Sequence, residues 1–308
     1  KYGFLAAAIG MIFGVVVFHF LTGMLGHIGK APDGKTGFGP IINVFLGAAA
    51  LVPLIYFLLS KSDLLGIVLL ALFALLAVYL IWSGYQDDAV QGQKYIAMFI
   101  LFTANILFWA LFEQAGASLN FLAQDHVSAP FHFSLFQSAN PLFIILLGPI
   151  FAMLWPTLEK WNITPSIPRK FALALIGLAV GFAIIVWALK AFLGADGKIA
   201  WFWLAGLYLV HTMAELCLSP IGLSMVTKLA APRNVGLSMG GWFLSTAVAN
   251  YLAGRISAIA SGGGGHDAAG SLAQYSETFT MLIWAGLIVG GLYFILAPLI
   301  NKLMHGVK

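Results

Sequence analysis

The chain has 308 residues, of which 61% are hydrophobic and 8% are charged, with one cysteine and a formal net charge of +4. A soluble domain of this length cannot bury so much apolar surface in one core, so lipid must act as the solvent. The basic residues are scattered between apolar segments and form no stripe, so we expect no nucleic-acid partner, and the single cysteine excludes an internal disulfide.

Apolar segments of about 20 residues, the length that crosses a bilayer core, recur along the chain. They lack the alternating pattern of a membrane barrel, so we expect an all-α, polytopic transmembrane helical bundle. The nine predicted spans cover residues 2–24, 39–60, 64–84, 94–122, 131–156, 169–192, 199–227, 235–259 and 273–300. The chain starts with Lys1 and enters the first span at once, so we expect it to be a piece of a longer protein.

The basic residues between the spans predict the orientation of the bundle. An excess of Lys and Arg marks the cytoplasmic side of a membrane protein. Ten of the 15 basic residues fall on the side of the carboxyl terminus, which we therefore expect to be cytoplasmic. These ten are Lys30, Lys35, Lys94, Lys160, Arg169, Lys170, Lys228, Arg233, Lys302 and Lys308.

The second and third spans form a predicted hairpin that is closed by residues 61–63. Beyond Asn43, neither arm carries a charged or amide side chain within the membrane. Such a hairpin has no group with which to bind a polar solute, so we expect it to pack against other helices or to contact lipid.

The fourth span carries polar residues at regular spacing. Asn105, Trp109 and Glu113 follow at intervals of four, so a continuous helix would place them on one face. Asn105 and Gln114 are typical of hydrogen bonds that hold membrane helices together. Glu113 differs, because a carboxyl group at depth costs at least about 2.5 kcal/mol and is rarely kept for packing alone. We interpret Glu113 as functional.

The seventh span repeats this arrangement. His211 and Glu215 lie one turn apart, and Ser219 extends the same face. Pro220 lacks an N–H and its ring crowds the preceding turn, which predicts a broken helix beside Glu215, with further freedom at Gly222. A packed proline kink is the alternative, and for His211 an interhelical hydrogen bond is the simpler interpretation.

The fifth span adds a third predicted opening. Asn140 directly precedes Pro141, whose missing N–H is expected to free the carbonyl of Gln137. The polar face of the fourth span, the predicted break in the seventh and the freed carbonyl in the fifth together predict one shared polar cavity. Trp242, in the eighth span, is a candidate for its wall, with plain packing as the alternative.

Motifs of soluble enzymes and metal sites are absent from the sequence. It has no CxxC, no HExxH, no phosphate-binding glycine loop and no nucleophile elbow. We therefore expect neither an enzyme nor a metal or other cofactor.

Three sequence motifs resemble those of a known family. "FWALFEQAG" at 108–116, "SANPLFI" at 138–144 and "ELCLSPIGLSMVTKLAAP" at 215–232 are similar to the seventh, eighth and tenth transmembrane motifs of proton-dependent oligopeptide transporters, a branch of the major facilitator superfamily. "YGFLAAAIGMIFG" near the start resembles that family's sixth helix. The resemblance covers nearly the whole chain.

The resemblance implies a domain organisation. Residues 1–24 would be the last helix of an amino-terminal bundle, 39–84 the transmembrane hairpin that bacterial members insert between their halves, and 94–308 the carboxyl-terminal six-helix bundle. The family's first-helix motif, two glutamates followed by an arginine, is absent, as are helices one to five. The missing amino-terminal bundle is therefore an expected partner, and the chain alone should not transport.

The resemblance also implies a function and residue roles. The function is proton-coupled symport of di- and tripeptides across a bacterial inner membrane by alternating access, with the proton as coupling ion. Glu215 would face the amino group of the peptide, Asn140 would hold its amino end or backbone, and Glu113 would couple to protons by pairing with a basic residue of the other half. The other implied residues are Trp109, Trp242 and Ser219 in the pocket, and Pro220 and Gly222 at the cytoplasmic gate.

Two alternatives remain open. A facilitator-type carrier of another solute, such as a drug or nitrate, would share this fold. A proton-conducting subunit of a membrane enzyme complex would also place carboxyl groups at depth, but it should carry a Lys there, and every Lys in this chain lies near the end of a span.

Overall fold

The computed structural model describes residues 2–26, 37–260 and 272–307, so Lys1, Lys30, Lys35 and Lys308 lie outside the described residues. The chain divides into two compact units, Lys1–Ser62 and Asp63–Lys308. The first unit contains α1 (Tyr2–Leu21), a turn of 3₁₀ helix (Thr22–Leu25) and α2 (Phe38–Leu59). The helices of the second unit are α3 (Ser62–Asp87), α4 (Ala89–Phe112), α5 (Ser118–His126), α6 (Ala139–Lys160), α7 (Ile167–Ala191), α8 (Trp201–Leu229), α9 (Val235–Ala260) and α10 (Leu272–Leu303).

Eight helical segments among the described residues are long and apolar enough to cross a membrane. They match eight of the nine predicted spans. The eighth predicted span is also a helix, α9, but its serine and glycine residues, with Asn250 and Arg255, make it less apolar than the others. The chain is a multi-pass membrane protein made almost entirely of helices, as its composition predicted; two two-residue strands, Val127–Ser128 and Ile199–Ala200, pair in parallel.

The fourth predicted span is not one continuous helix. α4 ends at Phe112, Glu113–Gly116 form a 3₁₀ turn, and Ala117 leaves helical geometry with φ −122° and ψ −107° before α5 begins. Gly116 has a low helix propensity, which favours an interruption at this point. The span predicted over 94–122 is thus confirmed as one membrane-length segment, Ala89–His126, but its helix is interrupted, and Glu113 is the first residue of the turn.

Two prolines differ from their predicted effects. Pro141 is the third residue of α6, where an N–H would have no helical acceptor, so it helps to begin the helix and opens nothing at mid-depth. α8 runs through Pro220 without interruption to Leu229, so the predicted break beside Glu215 is not present. Pro220 removes only the one helical hydrogen bond that an N–H at position 220 would donate.

α7 and α10 form the most extensive helix pair among the described residues. Glycine allows this close approach, because a Cβ at Gly286 would lie 2.9 Å from the carbonyl oxygen of Leu175 and 3.0 Å from the Cβ of Ala179. Helices in lipid associate by such close packing, since the surrounding acyl chains are as apolar as the side chains. The contact therefore depends on the absence of a side chain at Gly286.

We expect Gly286→Ala to destabilise the bundle relative to Gly291→Ala. Both changes gain the same helix propensity, but a Cβ at Gly291 would have no atom within 4 Å. Overpacking of this kind costs about 1–3 kcal/mol, so the melting temperature in detergent should be lower for Gly286→Ala than for its neighbour. Equal melting temperatures would contradict the packing described for α7 and α10.

Both ends of α3 are tied to the segment that contains α9. Arg255 Nη1 donates to Asp63 Oδ1 at 3.0 Å, and Arg233 Nη2, just before α9, lies 2.8 Å from Asp87 Oδ1. These pairs place α3 antiparallel to α9. Exposed ion pairs contribute only about 0–1 kcal/mol each, so they set the register of α3 more than its stability.

Contacts at the helix ends agree with the predicted grouping of basic residues. Gln91 Nε2 donates to the carbonyl oxygen of Leu229 at 2.9 Å, and His305 Nε2 lies 2.6 Å from Gln93 Oε1. The ends of α8 and α10 therefore meet the start of α4. The basic residues near this end are Lys94, Lys228 and Lys302.

Candidate functional site

The centre of the candidate site is a hydrogen-bonded pair on α6 and α8. Asn140 Nδ2 donates to Glu215 Oε2 at 2.7 Å and also lies 3.2 Å from Thr212 Oγ1. Asn140 is the second residue of α6, so the beginning of that helix points its amide toward the middle of α8. The structure therefore brings together two residues that are 75 positions apart in the sequence.

Glu113 lies near this pair. Its side chain is half-buried at the start of the 3₁₀ turn, and it is close enough to Glu215 for the two charges to interact. No Lys or Arg of the described residues forms an ion pair with either carboxyl group. A partly buried carboxylate without a cation is costly, so each group calls for a proton or a cationic ligand.

Trp109 lies one helical turn before Glu113. Its ring packs against Phe108 and Phe112, and its indole Nε1 is buried without a hydrogen-bond partner. An unpaired buried donor costs about 1–3 kcal/mol, which is rare unless another group satisfies it in some state. The indole N–H is thus available to an acceptor beside Glu113.

Ser219 and Gly222 lie on α8 beyond Glu215. Ser219 is one turn further on and half-buried. Gly222 is buried, and a Cβ there would overlap the ring of Trp242. The structure thus shows a packing reason for glycine at this position, in addition to the bending predicted for it.

Trp242 lies in the interior of the bundle. It is 4% exposed, and its ring packs edge-on against Phe102 and Phe171 at centroid distances of 5.8 and 6.4 Å. This packing favours the plain interpretation of Trp242, because its indole faces other rings and no open wall of the site. A role for Trp242 in peptide binding stays a prediction.

Three other polar residues hold helices together. Asn105 Nδ2 donates to Ser245 Oγ at 2.8 Å, and Gln114 Nε2 donates to the carbonyl oxygen of Ala253 at 3.1 Å. His211 Nε2 lies 3.1 Å from the carbonyl oxygen of Leu178. These contacts confirm the interhelical hydrogen bonds predicted for all three residues.

Sequence reasoning missed three residues around the site. Thr212 is fully buried between Asn140 and the backbone of α8. Tyr208 Oη donates to the carbonyl oxygen of Ala115 at 3.2 Å. Gln137 Nε2 donates to the same oxygen atom at 2.8 Å. Two of these residues could have been found from their spacing in the sequence. Thr212 lies three residues before Glu215, and Gln137 lies three residues before Asn140, so each pair shares a local face.

The arrangement fits an organic cation better than a metal ion. Within the ranges that the structure describes, no group of three or more His, Cys, Asp or Glu side chains is placed to hold a metal. A single carboxylate, supported by an amide and a hydroxyl group, suits an ammonium group, which offers several N–H donors.

Comparison with known proteins identifies relatives of this chain. The model of the POT family matches residues 1–265. Dipeptide and tripeptide permease B of Edwardsiella piscicida is 28% identical over 96% of this chain and 62% of its own length. The peptide transporter YePEPT of Yersinia enterocolitica is 34% identical over 80% of this chain and 48% of its own length.

The fold is also similar to solved structures. A mutant of a peptide transporter POT, crystallised in complex with alafosfalin, aligns with a TM-score of 0.74 and 30% identity. The alignment covers 99% of this chain and 62% of that one. The chain thus spans no more than 62% of the length of these three proteins.

Proposed function

The chain belongs to the POT family, and we propose that it is the carboxyl-terminal part of a symporter that carries di- and tripeptides with protons across a bacterial inner membrane. The observation that carries this proposal is the Asn140–Glu215 hydrogen bond, with Glu113 nearby and no ion pair from a described Lys or Arg to either carboxyl group. The carboxyl terminus would face the cytoplasm. The names of the relatives, which are peptide permeases and transporters, support the same substrate class.

The peptide ammonium group would bind at Glu215. A charge-assisted hydrogen bond is about twice as strong as a neutral one, so a desolvated carboxylate selects a free amino end. Asn140 would turn its carbonyl oxygen or its amide toward the peptide backbone, and the free indole N–H of Trp109 would donate to a peptide carbonyl. Ser219 would extend the polar wall by one turn.

Glu113 would exchange the coupling proton. Coupling requires a group whose interactions differ between two conformations. Ionised Glu113 would pair with a basic residue of an amino-terminal bundle, and protonated Glu113 would release it. Residues 1–24, 39–84 and 94–308 would then be the last helix of that bundle, the inserted hairpin and the carboxyl-terminal bundle.

The cytoplasmic gate would lie beyond Glu215 on α8. Pro220 removes one helical hydrogen bond, so bending at that point costs less than elsewhere in the helix. The contact between Gly222 and the ring of Trp242 would then be the point at which α8 rolls against α9. No metal or organic cofactor enters this proposal.

Competition between peptides of different lengths tests the proposed function. The full-length protein that carries this chain would be purified, and bound radiolabelled trialanine would be displaced with unlabelled dialanine or tetra-alanine. We expect dialanine to compete and tetra-alanine to fail, because a pocket closed at both peptide ends limits length. No specific binding of trialanine, or no competition by either peptide, would contradict a di- and tripeptide carrier.

A further inference from the structure

The 3₁₀ turn that carries Glu113 is held by hydrogen bonds to two different helices, α9 and α8. On one side, the fully buried Gln114 binds the carbonyl oxygen of Ala253 on α9 and accepts from Ser118 Oγ at 2.7 Å. On the other side, the carbonyl oxygen of Ala115 accepts from Tyr208 Oη. The Gln114 side is anchored in the packed interior, whereas the Ala115 side is held by a residue of the helix that carries Glu215.

The bond at Ala115 begins a continuous path to Glu215. Tyr208, whose hydroxyl group binds Ala115, accepts at its own carbonyl oxygen from Thr212 Oγ1 at 2.8 Å. Thr212 Oγ1 in turn accepts from Asn140 Nδ2 at 3.2 Å, and the same amide donates to Glu215 Oε2. Each residue of the path is hydrogen-bonded to the next, so the path connects Asn140 with the turn at Ala115.

A second branch runs along the segment before α6. Gln137 Nε2 donates to the carbonyl oxygen of Ala115 at 2.8 Å and to Asn120 Oδ1 at 3.1 Å, so it connects the turn with the first part of α5. Gln137 lies three residues before Asn140. The residue that contacts Glu215 is thus linked to the turn both through α8 and through its own chain segment.

This connection has a physical consequence for the two carboxyl groups. A ligand ammonium group at Glu215 competes with Asn140 Nδ2 for the same carboxylate oxygen atoms, and a displaced amide has Thr212 Oγ1 as its remaining acceptor. The Thr212 hydroxyl group has one hydrogen atom, which it donates to the carbonyl oxygen of Tyr208. Thr212 can therefore interact with the amide of Asn140 only as an acceptor. What Glu215 binds thus bears directly on the hydrogen bonds of Asn140 and Thr212, which belong to the path that leads to the turn.

We propose that Tyr208 and Thr212 are positioning residues that couple occupancy of Glu215 to the conformation of the 3₁₀ turn carrying Glu113. The inference rests on the proposed function. Neither residue needs to touch the peptide or the proton. Their side chains are buried, and they act through the hydrogen bonds that join Asn140 to Ala115.

Tyr208→Phe and Thr212→Val test the inference, because each removes a hydroxyl group and nearly keeps the side-chain shape. Tyr293→Phe is the matched control: Tyr293 is also a buried tyrosine, and its hydroxyl group bonds Thr103 and the carbonyl oxygen of Ile100, away from the site. The measured quantity is the ratio of proton-driven accumulation to peptide exchange in proteoliposomes of the full-length protein. This ratio should fall about fivefold in both test variants, because the loss of one neutral hydrogen bond has an effect of about that size. It should not change in the control.

Hydrogen exchange of the backbone amides of residues 113–118 provides a measurement that does not need transport. We expect dialanine to slow exchange of these amides in the wild-type protein and in Tyr293→Phe, and to have less effect in both test variants. This readout separates lost coupling from poor folding, because the amides of α7 and α10 serve as an internal reference.

The outcomes separate the two proposals. If the wild-type protein binds and exchanges dialanine, but both test variants keep the wild-type ratio and the wild-type response of residues 113–118, the coupling inference is wrong and the proposed function stands. If the wild-type protein neither binds nor exchanges dialanine, the proposed function is wrong, and the coupling inference falls with it.

Discussion

Glu113→Gln should abolish proton-driven accumulation of dialanine by the full-length protein, while exchange of labelled peptide down its gradient partly survives. Glutamine has nearly the same size and keeps an acceptor oxygen, but it cannot take up a proton. A pH difference of one unit supplies 1.36 kcal/mol, so a carrier coupled to one proton accumulates its substrate up to about tenfold. In the variant the internal and external concentrations should become equal. Uptake and counterflow in the same proteoliposomes measure both quantities.

Glu277→Gln is a suitable control for this experiment. Glu277 is an exposed glutamate in the first turns of α10, outside the candidate site, and it loses the same charge. Its variant should accumulate dialanine like the wild type. Equal loss of accumulation and exchange in Glu113→Gln would argue against a coupling role, because it would mean that the side chain is needed for binding or for folding.

Glu215→Gln should weaken the binding of dialanine by about tenfold to 150-fold, since a hydrogen bond to a charged group contributes about 1.5–3 kcal/mol and 1.4 kcal/mol is a factor of ten. Glutamine keeps an oxygen atom that can accept from Asn140 Nδ2, so the contact between α6 and α8 should persist. The change therefore isolates the negative charge. Calorimetric titration of the full-length protein with dialanine measures the effect.

N-acetyl-dialanine distinguishes the role of the charge from a general loss of the site. This ligand has no ammonium group, so it should bind the wild-type protein weakly, and Glu215→Gln should leave that weak binding unchanged. An equal loss of affinity for both ligands in the variant would contradict the assignment of Glu215 to the peptide amino group. Unchanged affinity for dialanine would contradict it as well.

The two acids differ in what surrounds them, and this difference explains why one chain would keep both. Glu215 has a fixed donor, Asn140, and lies in the middle of an uninterrupted helix. Glu113 has no such donor among the residues that the structure describes; it begins a 3₁₀ turn between two helices, where a small change of backbone angles redirects the side chain. A rigid acid suits ligand recognition, and a movable acid suits exchange of a proton between two states.

Much of the fold follows from local sequence. A segment in lipid must satisfy its own backbone hydrogen bonds, so length and apolarity alone predict where the helices run. The same rule singles out Glu113 and Glu215, because a carboxyl group at depth is costly wherever the helix is placed. The interhelical roles of Asn105, Gln114 and His211 were also predictable, since buried polar groups need partners.

Other features were decided only by tertiary structure. The unbroken course of α8 through Pro220 and the burial of Trp242 depend on which helices lie alongside, and neighbouring residues in the sequence do not encode that. The path from Ala115 to Asn140 depends on it even more, because hydrogen bonds require two groups within about 3 Å and at the correct angle. Hydropathy is a property of each segment by itself, whereas the rotation of one helix against another is set by close packing between segments far apart in the chain.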